Sequence, residues 1–260
     1  MADPLLDGRT AVVTGGASGI GRAISRTFAA AGADVVVADV QPDPREGDGP
    51  THELIERETD AAATYVECDV TNRADLVRAV DAADAFGGVD TMVNNAGIFR
   101  SEDFLDITED AFDRMFAVNV KGTFFGAQVA AERMLDAGDG GAIVNLSSVA
   151  GMRGSGGHVH YCASKGAVRL LTYSLADALG PAGIRTNAVH PGVVETKMTT
   201  EDVPIVGSDA SEEYASLVPS TRPWGTPQDV ADAALYLASD MAAFVNGQSL
   251  VVDGGRITTS

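Results

Sequence analysis

The chain has 260 residues, 45% of them hydrophobic, enough to bury one sizeable core and fitting a single α/β domain over residues 1–260. Its 37 acids against 18 bases give a net charge of -19, and the acids are spread along the chain, which argues against nucleic acid and anionic membranes as partners. Two cysteines, Cys68 and Cys162, stand in no C-x-x-C or His/Cys ligand spacing, so neither a disulfide framework nor a metal site is expected.

The N-terminal Met1-Ala-Asp-Pro-Leu-Leu-Asp7 has no basic segment followed by an apolar run, and no stretch approaches about 18 uninterrupted apolar residues, which predicts a soluble, cytoplasmic protein. Lys121, Lys165 and Lys197 are the only lysines. An acidic, lysine-poor surface suits concentrated salt, where self-repulsion is screened within about 3 Å at 1 M, and predicts the cytoplasm of a salt-accumulating halophile.

Residues 9–14 predict a short buried strand that runs into Gly15-Gly-Ala-Ser-Gly19-Ile-Gly21, then a helical pattern over residues 22–31 closed by Gly32. Strand, glycine turn and helix are the context a dinucleotide-binding loop needs. The glycines let the backbone approach a pyrophosphate, and the helix N-terminus favours its charge. The next strand, residues 34–39, ends in Asp39, about twenty residues past the loop, where a carboxylate accepts hydrogen bonds from a ribose diol. That carboxylate repels the 2′-phosphate of NADP, and no arginine or lysine stands at Gly16, Ala17, Ser18 or Val40 to bind one, so NAD is the expected cofactor and NADP the less favoured. Arg45 qualifies this, because residues 41–50, rich in Pro, Gly and Asp, predict a flexible surface loop able to fold back.

A helical stretch near 51–60 leads to a third strand over 63–68, ending at Asp69, and a further helix spans about 73–86. Residues 89–94 are a fourth strand, with Asn95-Ala96-Gly97 as its turn. The order βαβαβαβ with short connections implies a parallel sheet covered on both faces, with ligands beyond the carboxyl ends of the strands. Thr14, Asp39, Asp69, Asn94 and Ser148 all fall at such ends. Residues 108–137 read as predominantly helical, capped at Thr108, with Asn119 in the interior, where asparagine is locally unfavourable and wants a reason. Strands follow at 142–147, 184–189 and 249–253; residues 195–222 have the composition of a mobile lid, and Thr226-Pro-Gln-Asp229 opens a helix running to about 239. His158, His160 and His190 are not spaced as metal ligands and read as loop or strand-end residues.

The proton-moving groups concentrate between Asn145-Leu-Ser-Ser148 and Tyr161-Cys-Ala-Ser-Lys165. Tyr161 and Lys165 share one face of a helix, and a buried ammonium there favours the phenolate of a tyrosine whose ordinary pKa is about 10. Such a phenol can give or take a proton in the working range. Ser148, at a strand-to-loop exit, can hydrogen-bond a substrate oxygen.

With Thr14-Gly-Gly-Ala-Ser-Gly-Ile-Gly21, Asn94-Asn-Ala-Gly97, Asn119, Ser148, Tyr161-Cys-Ala-Ser-Lys165 and Pro191-Gly192 followed by Thr196, the sequence resembles the short-chain dehydrogenase/reductases over about residues 7–255. The resemblance implies a three-layer, doubly wound, Rossmann-like α/β fold with a seven-stranded parallel sheet. It implies a catalytic tetrad in which Asn119 helps hold a relay water, Ser148 orients the substrate oxygen, Tyr161 is the acid/base, and Lys165 binds the nicotinamide ribose and lowers the tyrosine pKa. The family interval of thirteen residues to Tyr161 selects Ser148 over Ser147. Cofactor contacts implied in the same way are Gly15, Ser18, Gly19, Ile20 and Gly21 in the loop, with Asp39, Asp69 and Val70 on the adenosine side. Asn95, Ala96 and Gly97 form a floor, and Pro191, Gly192, Val194 and Thr196 complete the nicotinamide side together with Tyr161 and Lys165. The acidic insertion after Asp39 is the main irregularity.

The expected activity is hydride transfer between NAD(H) and a small-molecule secondary alcohol or carbonyl substrate, such as a small alcohol, sugar or hydroxy acid. A 3-oxoacyl thioester reductase and a hydroxysteroid dehydrogenase are the alternatives, and a non-catalytic dinucleotide-binding regulator is disfavoured by the complete tetrad. Family members usually form homotetramers, and Phe124, Phe125, Leu170, Leu171, Leu250 and Val251 supply apolar residues where such contacts form.

Overall fold

Seven parallel strands make one sheet in the order β3-β2-β1-β4-β5-β6-β7, in a computed structural model that describes residues 4–47, 49–209 and 211–259. Residues 1–3, where the N-terminal reading above begins, lie outside the described residues. The first half of the chain runs β1 (Thr10–Thr14), α1 (Gly19–Ala30), β2 (Asp34–Asp39), α2 (Thr51–Glu58), β3 (Ala63–Glu67), α3 (Arg73–Asp81), β4 (Thr91–Asn94), α4 (Glu109–Phe116) and α5 (Gly122–Ala137). The second runs β5 (Gly141–Leu146), α6 (Val159–Leu179), β6 (Ile184–Pro191), α7 (Ser211–Ser216), α8 (Pro227–Ala238) and β7 (Ser249–Val252).

Helices cover both faces of the sheet, and side-chain alternation along the strands assigns each residue to a face. Val13, Val35 and Val37 pack with Ile24 and Phe28 of α1 and Val230 and Leu237 of α8. Val12, Val36, Met92 and Ile143 turn the other way, onto Leu76 and Val80 of α3 and Val129 and Met134 of α5. This is the three-layer, doubly wound arrangement expected from the βα alternation. The chain leaves β1 toward β2 and β3, then crosses to β4 on its other side, so the direction of winding switches beside β1. A crevice opens at such a point, outside the carboxyl ends of the strands.

Local boundaries differ from the sequence expectation where tertiary contacts decide. The first helix begins at Gly19, inside the glycine loop. The stretch expected as one helix over 73–86 changes to a 3-10 turn at Ala82–Phe86 and ends on Gly87, whose φ of 106° suits glycine. The helix expected over 108–137 is interrupted by a π-turn, Ala117–Lys121, with Asn119 at its centre. The 195–222 segment carries a π-turn, Met198–Asp202, and the short α7, and it is tied back by a Val194–Gly225 bridge and by Val193 N–H donating to the Tyr214 hydroxyl (3.2 Å). Among the described residues no helix is long and apolar enough to cross a membrane.

Candidate active site

A cavity of about 730 Å³ lies along the carboxyl ends of the strands. Its wall includes Asp39 and Asp69, beyond β2 and β3, and Ser148, Tyr161 and Lys165, beyond β5, with the glycine loop and Asn95-Ala96-Gly97 between them. Ile20, Val70, Pro191, Gly192, Val194 and Thr196 also line it. Two of the expected site residues stand behind this wall. Gly21 packs against the loop itself, and Asn119 lies fully buried behind Gly97.

The glycine loop is held by β4. Asn95 donates from Nδ2 to Thr14 O (2.9 Å) and Gly15 O (3.1 Å), while the N–H groups of Asn95 and Ala96 reach Thr14 Oγ1 (3.1 and 3.2 Å). Gly15 adopts φ +64°, and a Cβ there would lie 2.8 Å from Asn95 Nδ2; one on Gly21 would lie 2.0 Å from Gly15 O. Side chains are thus excluded where the backbone must come close to a ligand. Asp39 accepts from Ala17 N–H (3.0 Å) and Val40 N–H (2.8 Å), and burial raises its pKa against those bonds. Asp69 is also partly desolvated, but its bonds from Thr71 N–H and Oγ1 (2.9 and 2.8 Å) prevail and lower its pKa.

The two serines at the end of β5 separate cleanly. Ser147 is buried and donates to Lys165 O (2.9 Å), which ties the strand to α6. Ser148 faces the cavity and accepts from Ala150 N–H (3.1 Å), and its hydroxyl stands close enough to the Tyr161 phenol to draw the phenol's pKa down. Tyr161 keeps a face to the cavity yet sits deep in the protein, and burial pushes its phenol up to about 12, with the Ser148 hydroxyl pulling the other way. Lys165 is buried, donates to Leu146 O (2.8 Å), stands 5.8 Å from the centre of the Tyr161 ring, and is lowered by burial to about 8. The expected lowering of the phenol by Lys165 is therefore reversed in the protein alone. Desolvation of the phenolate outweighs what the Lys165 amine supplies at that distance.

Asn119 owes its place to the π-turn. Its Oδ1 accepts from Ile98 N–H (2.8 Å), and its Nδ2 donates to Ile98 O (3.0 Å) and Ser164 Oγ (3.1 Å). One side chain thus ties the segment after β4 to the Tyr161 helix. A Cβ on Gly97 would meet Asn119 Oδ1 at 3.3 Å and Lys165 Nζ at 3.4 Å, a tight fit that glycine avoids.

Several residues at the site were not among the expected contacts. Phe99 places its ring 4.6 Å from that of Tyr161 and 4.7 Å from that of His158. The buried His190 bonds Ser148 O through Nδ1 (3.0 Å) and so steadies the backbone that presents the Ser148 hydroxyl. Tyr214 and Ile205 reach the cavity from the 195–222 segment, and Arg45 and Glu46 from the loop after β2. The sequence leads one to expect Arg45 and the 195–222 segment over the site, while Phe99 and His190 adjoin the Asn95-Ala96-Gly97 and Pro191-Gly192 turns, and only contacts between segments set them against Tyr161 and Ser148.

A family model described as enoyl-(acyl carrier protein) reductase matches residues 15–256. L-2,3-butanediol dehydrogenase of Corynebacterium glutamicum is 40% identical over 257 residues, covering 96% of this chain and 98% of that protein. The chain is a short-chain dehydrogenase/reductase. Another relative of this short-chain dehydrogenase/reductase, the L-rhamnose 1-dehydrogenase (NAD(P)(+)) of Azotobacter vinelandii, is 40% identical over 256 residues, covering 96% of this chain and 97% of that one. The crystal structure of a gluconate 5-dehydrogenase from Burkholderia cenocepacia, in complex with NADP and tartrate, superposes with a TM-score of 0.88 at 34% identity, covering 99% of both chains. The family binds a nicotinamide dinucleotide and is oxidoreductive. The residues present fit that group: a side-chain-free approach at Gly15 and Gly97, N–H groups at the start of α1, and a carboxylate at Asp39.

Proposed function

We propose that this short-chain dehydrogenase/reductase oxidises a small secondary alcohol, sugar or hydroxy acid, with NAD preferred over NADP, and that Ser148, Tyr161, Lys165 and Asn119 carry the reaction. The observation that carries the reading is the hydroxyl pair of Ser148 and Tyr161 on the cavity wall, with Lys165 one helical turn from the phenol. The dinucleotide supplies the hydride acceptor or donor when bound. Ser148 Oγ holds the substrate oxygen, and the Tyr161 phenol oxygen takes the hydroxyl proton in oxidation or returns it in reduction. Lys165 Nζ holds the nicotinamide ribose and favours the phenolate. Asn119 keeps the relay path in register through its bonds to Ile98 and Ser164.

Substrate class follows the relatives, whose printed activities are on a diol, a sugar and a sugar acid. The NAD preference rests on Asp39, whose charge opposes a 2′-phosphate, and on Arg45, whose guanidinium is engaged by Asp202 rather than turned to Asp39. The acidic surface also disfavours an acidic acyl carrier as substrate carrier. A homotetramer is supported by half-exposed Phe124 on α5 and by Leu170 on α6, 65% exposed. Work in a salt-rich, halophilic cytoplasm is supported by the net charge of -19.

The test is Tyr161→Phe, assayed for NADH formation over a panel of alcohols, sugars and 3-hydroxyacyl thioesters. Turnover should fall by at least about a hundredfold, the lower range of a lost general acid/base, while NADH still binds. Robust turnover in the variant would remove the mechanism.

A further inference from the structure

The acidic insertion between β2 and α2 is stitched to three parts of the site. Arg45 N–H donates to Ser18 Oγ (2.8 Å) in the glycine loop. Its guanidinium forms a two-pronged pair with Asp202 (2.6 and 2.9 Å) and reaches Glu201 at 3.5 Å, both on the π-turn Met198–Asp202. Arg22 of α1 donates to Gly49 O (2.9 Å) and Thr51 Oγ1 (3.0 Å) at the far end of the insertion. Between these points Glu46 lines the cavity and accepts the N–H of Gly19 through Oε1, while its Oε2 is buried with no hydrogen-bond partner.

Gly19 is the first residue of α1, and the N–H groups there have no partner inside the helix. With the positive end of the helix dipole they make a seat that favours an anion, and in a dinucleotide-binding loop that anion is the pyrophosphate. The carboxylate of Glu46 now sits there. A pyrophosphate and a carboxylate cannot share the seat without like-charge repulsion. Glu46 is not free to drift, because Arg45, the preceding residue, is held by Asp202 and Ser18.

We propose that Glu46 sets the affinity for the dinucleotide, by holding the anion seat of α1 against the pyrophosphate until residues 41–47 lift. The Arg45–Asp202 pair fixes how firmly that strap is held. Glu46 returning to Gly19 also helps expel the spent cofactor, a step that often limits turnover. The inference rests on the dinucleotide reading of the cavity.

Glu46→Gln keeps the size and one acceptor oxygen but removes the charge. NADH affinity is read by fluorescence titration, and ADP and adenosine affinities by competition against NADH. NADH and ADP should bind the variant about twofold to fivefold more tightly, the typical range for one charge at a helix terminus, and adenosine, which has no pyrophosphate, should be unchanged. Asp202→Asn, which loosens the strap without touching Glu46, should move NADH and ADP in the same direction by less. Equal or weaker NADH and ADP binding in Glu46→Gln would overturn the proposal, as would an equal gain for adenosine, which would make the strap a steric cover only. NADH bound equally by wild type and variant sinks this inference alone. NADH bound by neither sinks the dinucleotide reading with it.

Discussion

Lys165, in the role proposed for it beside Tyr161, works against the fold that holds it. Burial lowers its ammonium from 10.5 to about 8. In the unfolded chain the amine keeps its proton up to about pH 10.4, so between about 8 and 10 the unfolded state binds more protons and stability rises with pH. Below 8 the amine is charged in both states and the full penalty, about 3 kcal/mol, applies. Lys165→Met should therefore abolish turnover yet stabilise the protein at pH 7 by about 2 kcal/mol, once about 1 kcal/mol is deducted for the lost bond to Leu146. The gain should shrink toward pH 10, as urea denaturation at both pH values will show. Asp39 is the residue through which cofactor choice is tested. Asp39→Ser removes the charge opposing a 2′-phosphate, so the ratio of kcat/KM for NAD over NADP should drop by about tenfold or more, on the scale of one charge-assisted contact. Both residues were legible in the sequence by spacing. The direction of the phenol shift was not, because burial is a property of the packed protein.

The π-turn at Ala117–Lys121 is the element that local propensity did not forecast. Residues 108–137 have a helical pattern throughout, and an interior asparagine is a mild local defect rather than a signal for a wider turn. The reason lies across the molecule. Widening the helix there lets Asn119 satisfy both the N–H and the C=O of Ile98 and reach Ser164 on α6. Asn119→Ala removes the partners of the part-buried Ile98 N–H and C=O and should cost about 1–2 kcal/mol in urea denaturation. The same change should raise KM for the dinucleotide, since Gly97 loses the oxygen that backs it. An unchanged stability would show that Ile98 finds other partners. The start of α8, in contrast, was readable from four residues. Thr226 and Asp229 form a reciprocal capping box with Pro227 in the first turn, a device that needs no tertiary contact.

For the whole molecule, the charge of -19 on 260 residues has a consequence that no single ion pair sets. Self-repulsion reaches about 10 Å at 0.1 M salt and about 3 Å at 1 M, so the melting temperature should rise by several degrees between 0.1 and 2 M KCl, and activity should fall on dialysis into low salt. A melting temperature flat across that range would remove the halophile reading. The sequence by itself determined the alternation of strands and helices, the parallel sheet, the glycine loop, the acid at the end of β2 and the Tyr161–Lys165 pair. Each of these is written within a few consecutive residues or a fixed helical spacing. The choice of Ser148 over Ser147 was already made by its interval to Tyr161, whereas only the tertiary structure decided that the Ser147 hydroxyl is spent on Lys165 O, that His190 and Phe99 border Ser148 and Tyr161, and that Glu46 lies on the N-terminus of α1. Those outcomes depend on contacts between segments far apart in the chain, and local periodicity carries no information about which distant side chain fills a given space.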